Sequence, residues 1–130
     1  MAPRSLQETF QMRYMCMIIT APPGPPASTP ELAAAMDVLA NREIQAGRML
    51  GGGGLLPLDS GGARVTLADG KFTVVDGPMV EAKEVIGGYA MFEFASKEEA
   101  VASAVEFLQL HKDHQPGWEG TCEIRAMIEH

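Results

Sequence analysis

Apolar residues recur along this chain with two periods, and the change from one to the other marks out the elements. Residues 14–20 (YMCMIIT) are apolar almost without a break, the pattern of a central strand covered on both faces. Leu32, Ala35, Met36, Leu39 and then Glu43 and Ile44 recur at helical spacing, which predicts an amphipathic helix starting near Pro30. Ser28 or Thr29 can cap it, Pro30 suits the first helical position, Glu31 complements the dipole and Gly47 is a natural stop. Four glycines follow at 51–54. They precede Leu55-Leu56-Pro57 rather than a helix, so they do not read as a phosphate cradle. They read as a strand that bends or passes close to another backbone.

Ala63, Val65 and Leu67 alternate with Arg64, Thr66 and Ala68. Asp69-Gly70 then makes a two-residue turn, and Phe72 and Val74 alternate on the return. This is the signature of a β-hairpin with a type I′ turn. Residues 89–94 are a further strand. Ser96 and Glu99 form a capping box that opens a second helix, with Ala100, Val101, Ala104, Val105 and Leu108 on its expected buried face. Residues 110–120 read as a loop and 121–128 as a last strand.

Without the hairpin, this order is the ferredoxin-like βαββαβ arrangement, an α+β fold with both helices on one face of an antiparallel sheet. The other face then stays open. The first strand is apolar throughout, and the last carries Cys122, Ile124, Ala126 and Ile128 on one side and Met127 on the other. A covered second face implies a partner sheet, most simply from an identical subunit in a two-fold homodimer.

Composition narrows the classes. The 130 residues are 46% apolar and 21% charged, an ordinary globular balance for one domain. Residues 1–11 read as a flexible extension and 12–130 as the domain. No apolar run approaches the ~20 residues of a membrane helix. Ten basic against seventeen acidic residues give a net charge of −7 with no basic tract, which argues against direct nucleic-acid binding. Cys16 and Cys122 lack CxxC spacing and read as core residues. The N-terminus has no apolar leader, so a cytoplasmic setting is expected.

Two clusters carry candidate chemistry. Asp76, Glu81, Lys83 and Glu84 fall within nine positions, and carboxylates beside an ammonium can divide acid and base roles. The same residues also suit an Asx turn followed by a solvated surface. His111, Asp113 and His114 form the second cluster, as proton shuttle, helix ending or subunit contact. No third ligand lies near the histidines, so no metal is expected. Trp118 follows Pro116-Gly117 and can wall a pocket or anchor a subunit seam. The Pro-rich stretch 21–30 (APPGPPASTP) is a surface loop or a flap over a pocket. No nucleophile elbow or dinucleotide fingerprint is present, and no cofactor is expected.

Three stretches together resemble the YCII-related family in its DGPF-domain branch. They are DGPMVEAKEVIGGY (76–89), LHKDHQPGWEG (110–120) with EIRAM (123–127), and AGRMLGGGGLLP (46–57). The likeness runs over about residues 12–128. Met79 stands where the branch has phenylalanine, and Gly53 where an acidic residue is common. The resemblance implies a dimeric α+β barrel of ferredoxin-like subunits. It also implies an association of some members with extracytoplasmic-function sigma factors. A few relatives in the wider family resemble small lyases or dehalogenating enzymes that use a His–Asp pair. Their histidine lies in the first helix, where this chain has Asp37, Asn41 and Glu43. Two functions follow as expectations. One is a cofactor-free small-molecule enzyme with Asp76, Glu81, Lys83 and His111 as catalytic candidates in a dimer pocket, and Glu84, Trp118 and Arg125 as ligand-binding candidates. The other is a ligand-binding or regulatory module associated with a sigma factor.

Overall fold

The computed structural model describes residues 11–22, 24–58, 60–76 and 84–129. The apolar run of the first strand becomes β1 (Met12–Thr20), the centre of a four-stranded sheet. Helix α1 (Pro30–Gln45) follows, then β2 (Met49–Gly54), the hairpin strands β3 (Ala63–Ala68) and β4 (Lys71–Asp76), β5 (Val85–Phe94), α2 (Lys97–His114) and β6 (Thr121–Ala126). The sheet order is β2-β5-β1-β6, with every neighbouring pair antiparallel. This is the ferredoxin-like order expected from the sequence. The hairpin forms a separate two-stranded sheet.

Alternation along the strands divides the sheet into two faces. Tyr14 and Cys16 on β1, Ala90, Phe92 and Phe94 on β5, and Ile124 on β6 share the face beneath the helices, as their register requires. Tyr14, Phe94 and Ala100 make the buried centre, with Met12, Phe92 and Ile124 packed around it. The rings of Phe92 and Phe94 stack at 5.1 Å. Burying Phe94 and Leu32, the largest fully buried side chains among the described residues, stabilises the fold by roughly 2–3 kcal/mol each. The Cys16 thiol is pushed up by its neighbour Cys122 and by burial, so it behaves as an inert core group.

Local signals set the element ends. Thr29 caps α1, its Oγ1 accepting from the Leu32 N–H at 3.1 Å. Ser96 caps α2 in the same way, accepting from the Glu99 N–H, while the Glu99 carboxylate reaches back to the Ala95 N–H. Asp69 and Gly70 both have positive φ, 53° and 72°, the type I′ turn the hairpin pattern predicts. At Gly52, a Cβ would lie 2.5 Å from the Tyr89 carbonyl oxygen. A glycine there lets β2 sit close against β5.

Three expectations are corrected. The stretch from Leu110 is not loop, because α2 continues through His114. No breaker intervenes before Pro116-Gly117, and His111, Lys112 and His114 complement the helix C-terminus. The buried face of α2 is Ala100, Ala104 and His111, while Val101 and Val105 are exposed. Small alanines let the helix approach the Tyr14–Phe94 aromatics, and the adjacent valines rotate outward. On α1, Ile44 is likewise exposed and Glu43 lies inside.

The second sheet face carries neither helix. Met15, Met17 and Ile19 of β1 and Tyr89 and Met91 of β5 form its apolar centre, and Tyr89 is 42% exposed. Ion pairs flank that centre, Arg13–Glu93 at 3.1 Å and Arg125–Glu123 at 3.5 Å. No helix among the described residues is long and apolar enough to cross a membrane.

Candidate functional site

Among the described residues, four polar ones are buried: Thr20, Glu43, His111 and Gln115. Three of them meet at one end of the fold, where β1 ends, α1 begins and α2 finishes. The fourth, Glu43, lies at the other end of the helix pair.

At the first end, helix α2 stops with the Gln115 N–H donating to the His111 carbonyl. A turn follows in which the Trp118 N–H donates to the Gln115 carbonyl at 3.0 Å. Pro116 and Gly117, the latter with φ of 88°, occupy the central positions that a type II turn favours for these residue types. The turn folds the indole of Trp118 back onto the His111 ring, 4.3 Å between centroids. The indole also lies close against Gly120, where a Cβ would be 2.5 Å from its ring. His111 is fixed further by Phe107. Their rings are 4.8 Å apart, and His111 Nδ1 lies 2.9 Å from the Phe107 carbonyl oxygen. A carbonyl only accepts, so Nδ1 carries the proton and, in the neutral ring, Nε2 keeps the lone pair.

Gln115 ties the Pro-rich loop to this end. Its Oε1 accepts from the Thr29 N–H at 3.1 Å and its Nε2 donates to the Ala27 carbonyl at 3.4 Å. Thr29 also donates through Oγ1 to the His114 carbonyl at 2.7 Å. Between the loop and the turn lies a cavity of about 370 Å³, lined by Thr20, Pro22, Pro25, Pro26, Gln115, Trp118 and Glu119 among others. This volume is in the range of small-molecule sites. Most of the described residues of the Pro-rich stretch are exposed, and several of them line this cavity. Thr20 is 6% exposed, and its Oγ1 is the one buried side-chain polar atom among the described residues without a hydrogen-bond partner.

The other end is built differently. Glu43 accepts from Arg48 through both carboxylate oxygens at 2.8 Å and from Arg42 Nε at 2.9 Å. Arg42 then grips Glu106 of α2 with two bonds of 2.7 and 2.8 Å. Arg48 beside it, with Arg42 assisting, holds the Glu43 carboxyl down at about 2 against burial that opposes ionisation. The cleft here, about 250 Å³, is lined by charges that already satisfy one another.

The sequence candidates are scattered by comparison. His111 and Trp118 are brought together. Glu84 is exposed one residue before Val85, the register partner of Thr20, so it stands at the cavity end of the sheet. Asp76 is exposed at the end of β4 opposite Ala63. Arg125 is exposed on the open sheet face opposite Met15. Glu81 and Lys83 lie outside the described residues. Sequence reasoning did not single out Thr20 or Gln115. The only signals were a polar residue closing an apolar strand and a glutamine just before Pro-Gly. Among the described residues, no group of three or more His, Cys, Asp or Glu is arranged to hold a metal ion.

A four-stranded antiparallel sheet with two helices on one face, a hairpin inserted before the third sheet strand and a cavity at the helix ends together define a small ferredoxin-like α+β domain. The chain belongs to the YCII-related domain family, whose model matches residues 12–107. That match includes Thr20 and the Pro-rich loop but ends before Gln115 and Trp118. The chain has no match among curated proteins.

Proposed function

We propose that this YCII-related chain, of the DGPF type that residues 76–89 resemble, binds a small molecule in the cavity beneath the Pro-rich loop. The observation that carries this reading is the Thr20 hydroxyl, which is nine-tenths buried on the cavity wall and has no partner. Leaving such a group unsatisfied costs roughly 1–3 kcal/mol, and a ligand that hydrogen-bonds to it recovers that loss. Proline rings and an indole supply much of the remaining wall, beside Gln115 and the Glu119 carboxylate, so the site suits a flat ring that is not an anion, held by stacking and a few hydrogen bonds. Trp118 is the single tryptophan, and its fluorescence reports directly on occupancy. Titration with neutral lactams, phenols and pyrimidine-type heterocycles is expected to find members that change this fluorescence saturably. Those members should bind Thr20→Val at least tenfold more weakly. Equal binding by Thr20→Val, or binding that leaves Trp118 fluorescence untouched, refutes the site.

A second reading, acid–base catalysis on that ligand, is favoured by His111. Its Nε2 lone pair is the form of a general base, and its ring lies against the indole that walls the cavity. In this reading a bound ligand is consumed over time in an NMR assay, and His111→Gln abolishes the consumption while binding persists. A ligand that stays unchanged leaves the chain a binding module.

A further inference from the structure

Three polar side chains besides the indole line the cavity beneath the Pro-rich loop: Thr20, Gln115 and Glu119. Gln115 is spent on the loop, its Oε1 accepting from the Thr29 N–H and its Nε2 donating to the Ala27 carbonyl. The other two are free to serve a ligand. The Thr20 hydroxyl is buried without a partner. The Glu119 carboxylate has neither an ion pair nor a side-chain hydrogen bond among the described residues, and it is the one charged group among the described residues of the lining. Lys112 and His114, the basic side chains closest in sequence, end α2 and do not line the cavity. Glu84 adds a second exposed carboxylate at this end of the sheet.

The walls suit one kind of positive charge. Gly24, with φ of 120°, turns the loop in against Val85, and the Pro25 ring lies over Gly87, 3.7 Å from where a Cβ would stand. The roof is thus seated on β5, and the space below it is lined by proline rings and one indole. A compact ammonium is strongly hydrated and loses that water at high cost against such a wall, whereas a planar delocalised cation is weakly hydrated. An indole face attracts a cation more strongly than any other side-chain ring does. A carboxylate accepts two parallel N–H bonds from a planar fork, and a hydroxyl such as that of Thr20 can accept a further one.

We propose that the ligand of this cavity is a flat delocalised cation, an aryl amidinium or guanidinium, whose charged end is held by Glu119 and whose ring stacks on Trp118. The inference rests on the cavity being a ligand site and adds the sign and shape of the charge that it selects. An exposed ion pair and a cation–π contact are each worth a few-fold in affinity, so together they give about tenfold. The test compares three probes of one shape, benzamidine (a cation), benzamide (neutral) and benzoate (an anion), by ligand-observed NMR titration of the full chain. Benzamidine is expected to bind about tenfold more tightly than benzamide, and benzoate more weakly than both. Glu119→Gln should bring benzamidine within about threefold of benzamide. Glu98→Gln, an equal change of net charge in the first turn of α2, should leave the ratio as it is. Thr20→Val should weaken benzamidine and benzamide alike. Equal binding of benzamidine and benzamide, or a ratio that Glu119→Gln does not change or that Glu98→Gln lowers as much, overturns the inference and leaves the cavity reading in place. So does a native chain that binds neither probe but does bind a neutral lactam, phenol or pyrimidine. Binding that Thr20→Val leaves untouched, or a chain that binds no ring of any charge, overturns both.

Discussion

The two ends of the helix pair make a useful contrast. At one, Arg42, Glu43, Arg48 and Glu106 crowd four charges into a small volume, and each has a partner within 2.9 Å. At the other, the groups around Thr20, Gln115 and Trp118 are mostly neutral, yet one hydroxyl is left unbonded beside open space. Charge density therefore does not mark the site. A closed set of ion pairs has nothing left to offer a ligand, whereas an unfinished hydrogen-bond set does. The first end holds the helices in place, and the second is the end proposed to bind.

Substitutions sharpen this contrast. The largest effect is expected at Glu43. Glu43→Ala removes the anchor that Arg42 and Arg48 share, although both are about half exposed, and should lower unfolding free energy by about 2–3 kcal/mol in urea titrations, with ligand binding at the far end retained. The pH dependence follows the same group. Its folded-state carboxyl sits at about 2 against an ordinary 4.5, so its stabilisation is complete above 4.5 and drains away as pH falls toward 2. Glu43→Gln should flatten that part of the acid-unfolding curve; an unaltered curve would show that the ion pairs add nothing.

A smaller effect is expected at Gly120, where a methyl group would collide with the indole. Gly120→Ala should cost about 2 kcal/mol by forcing a shift and move the Trp118 emission maximum. An unmoved maximum would mean the indole is not seated there. The smallest effect belongs to Thr20. Thr20→Val removes a hydroxyl with no partner, so the ligand-free protein should be unchanged or up to ~1 kcal/mol more stable. A clear loss of stability would mean that the hydroxyl is bonded after all and that the two ends do not differ.

Much of the fold was legible because each element carried its own local signal. The Asp69-Gly70 turn, the Thr29 and Ser96 caps and the two apolar periods are all short-range patterns, and the structure follows them. The face of α2 was not legible. Ala100 and Val101 are adjacent in a helix whose apolar residues wrap wide, and only the aromatic floor beneath decides that the smaller one turns inward. The site was less legible still. Gln115 acts on Ala27 and Thr29, more than eighty positions away, and Thr20 matters because of what it does not touch. His111 and Trp118 could be picked out by residue type, but their stacking depends on Pro116-Gly117 reversing the chain. Glu43 carries a readable sign, a carboxylate at the helical spacing of the apolar stripe, and such a group needs cations nearby.

Thr29 has two tasks. Its hydroxyl accepts from Leu32 to start α1 and donates to His114 at the end of α2, while its own N–H is held by Gln115. The hinge of the roof over the cavity is thus also the first peg of a helix. Lifting the roof from that side would unravel the opening turn of α1, so traffic in and out should pass the proline side instead.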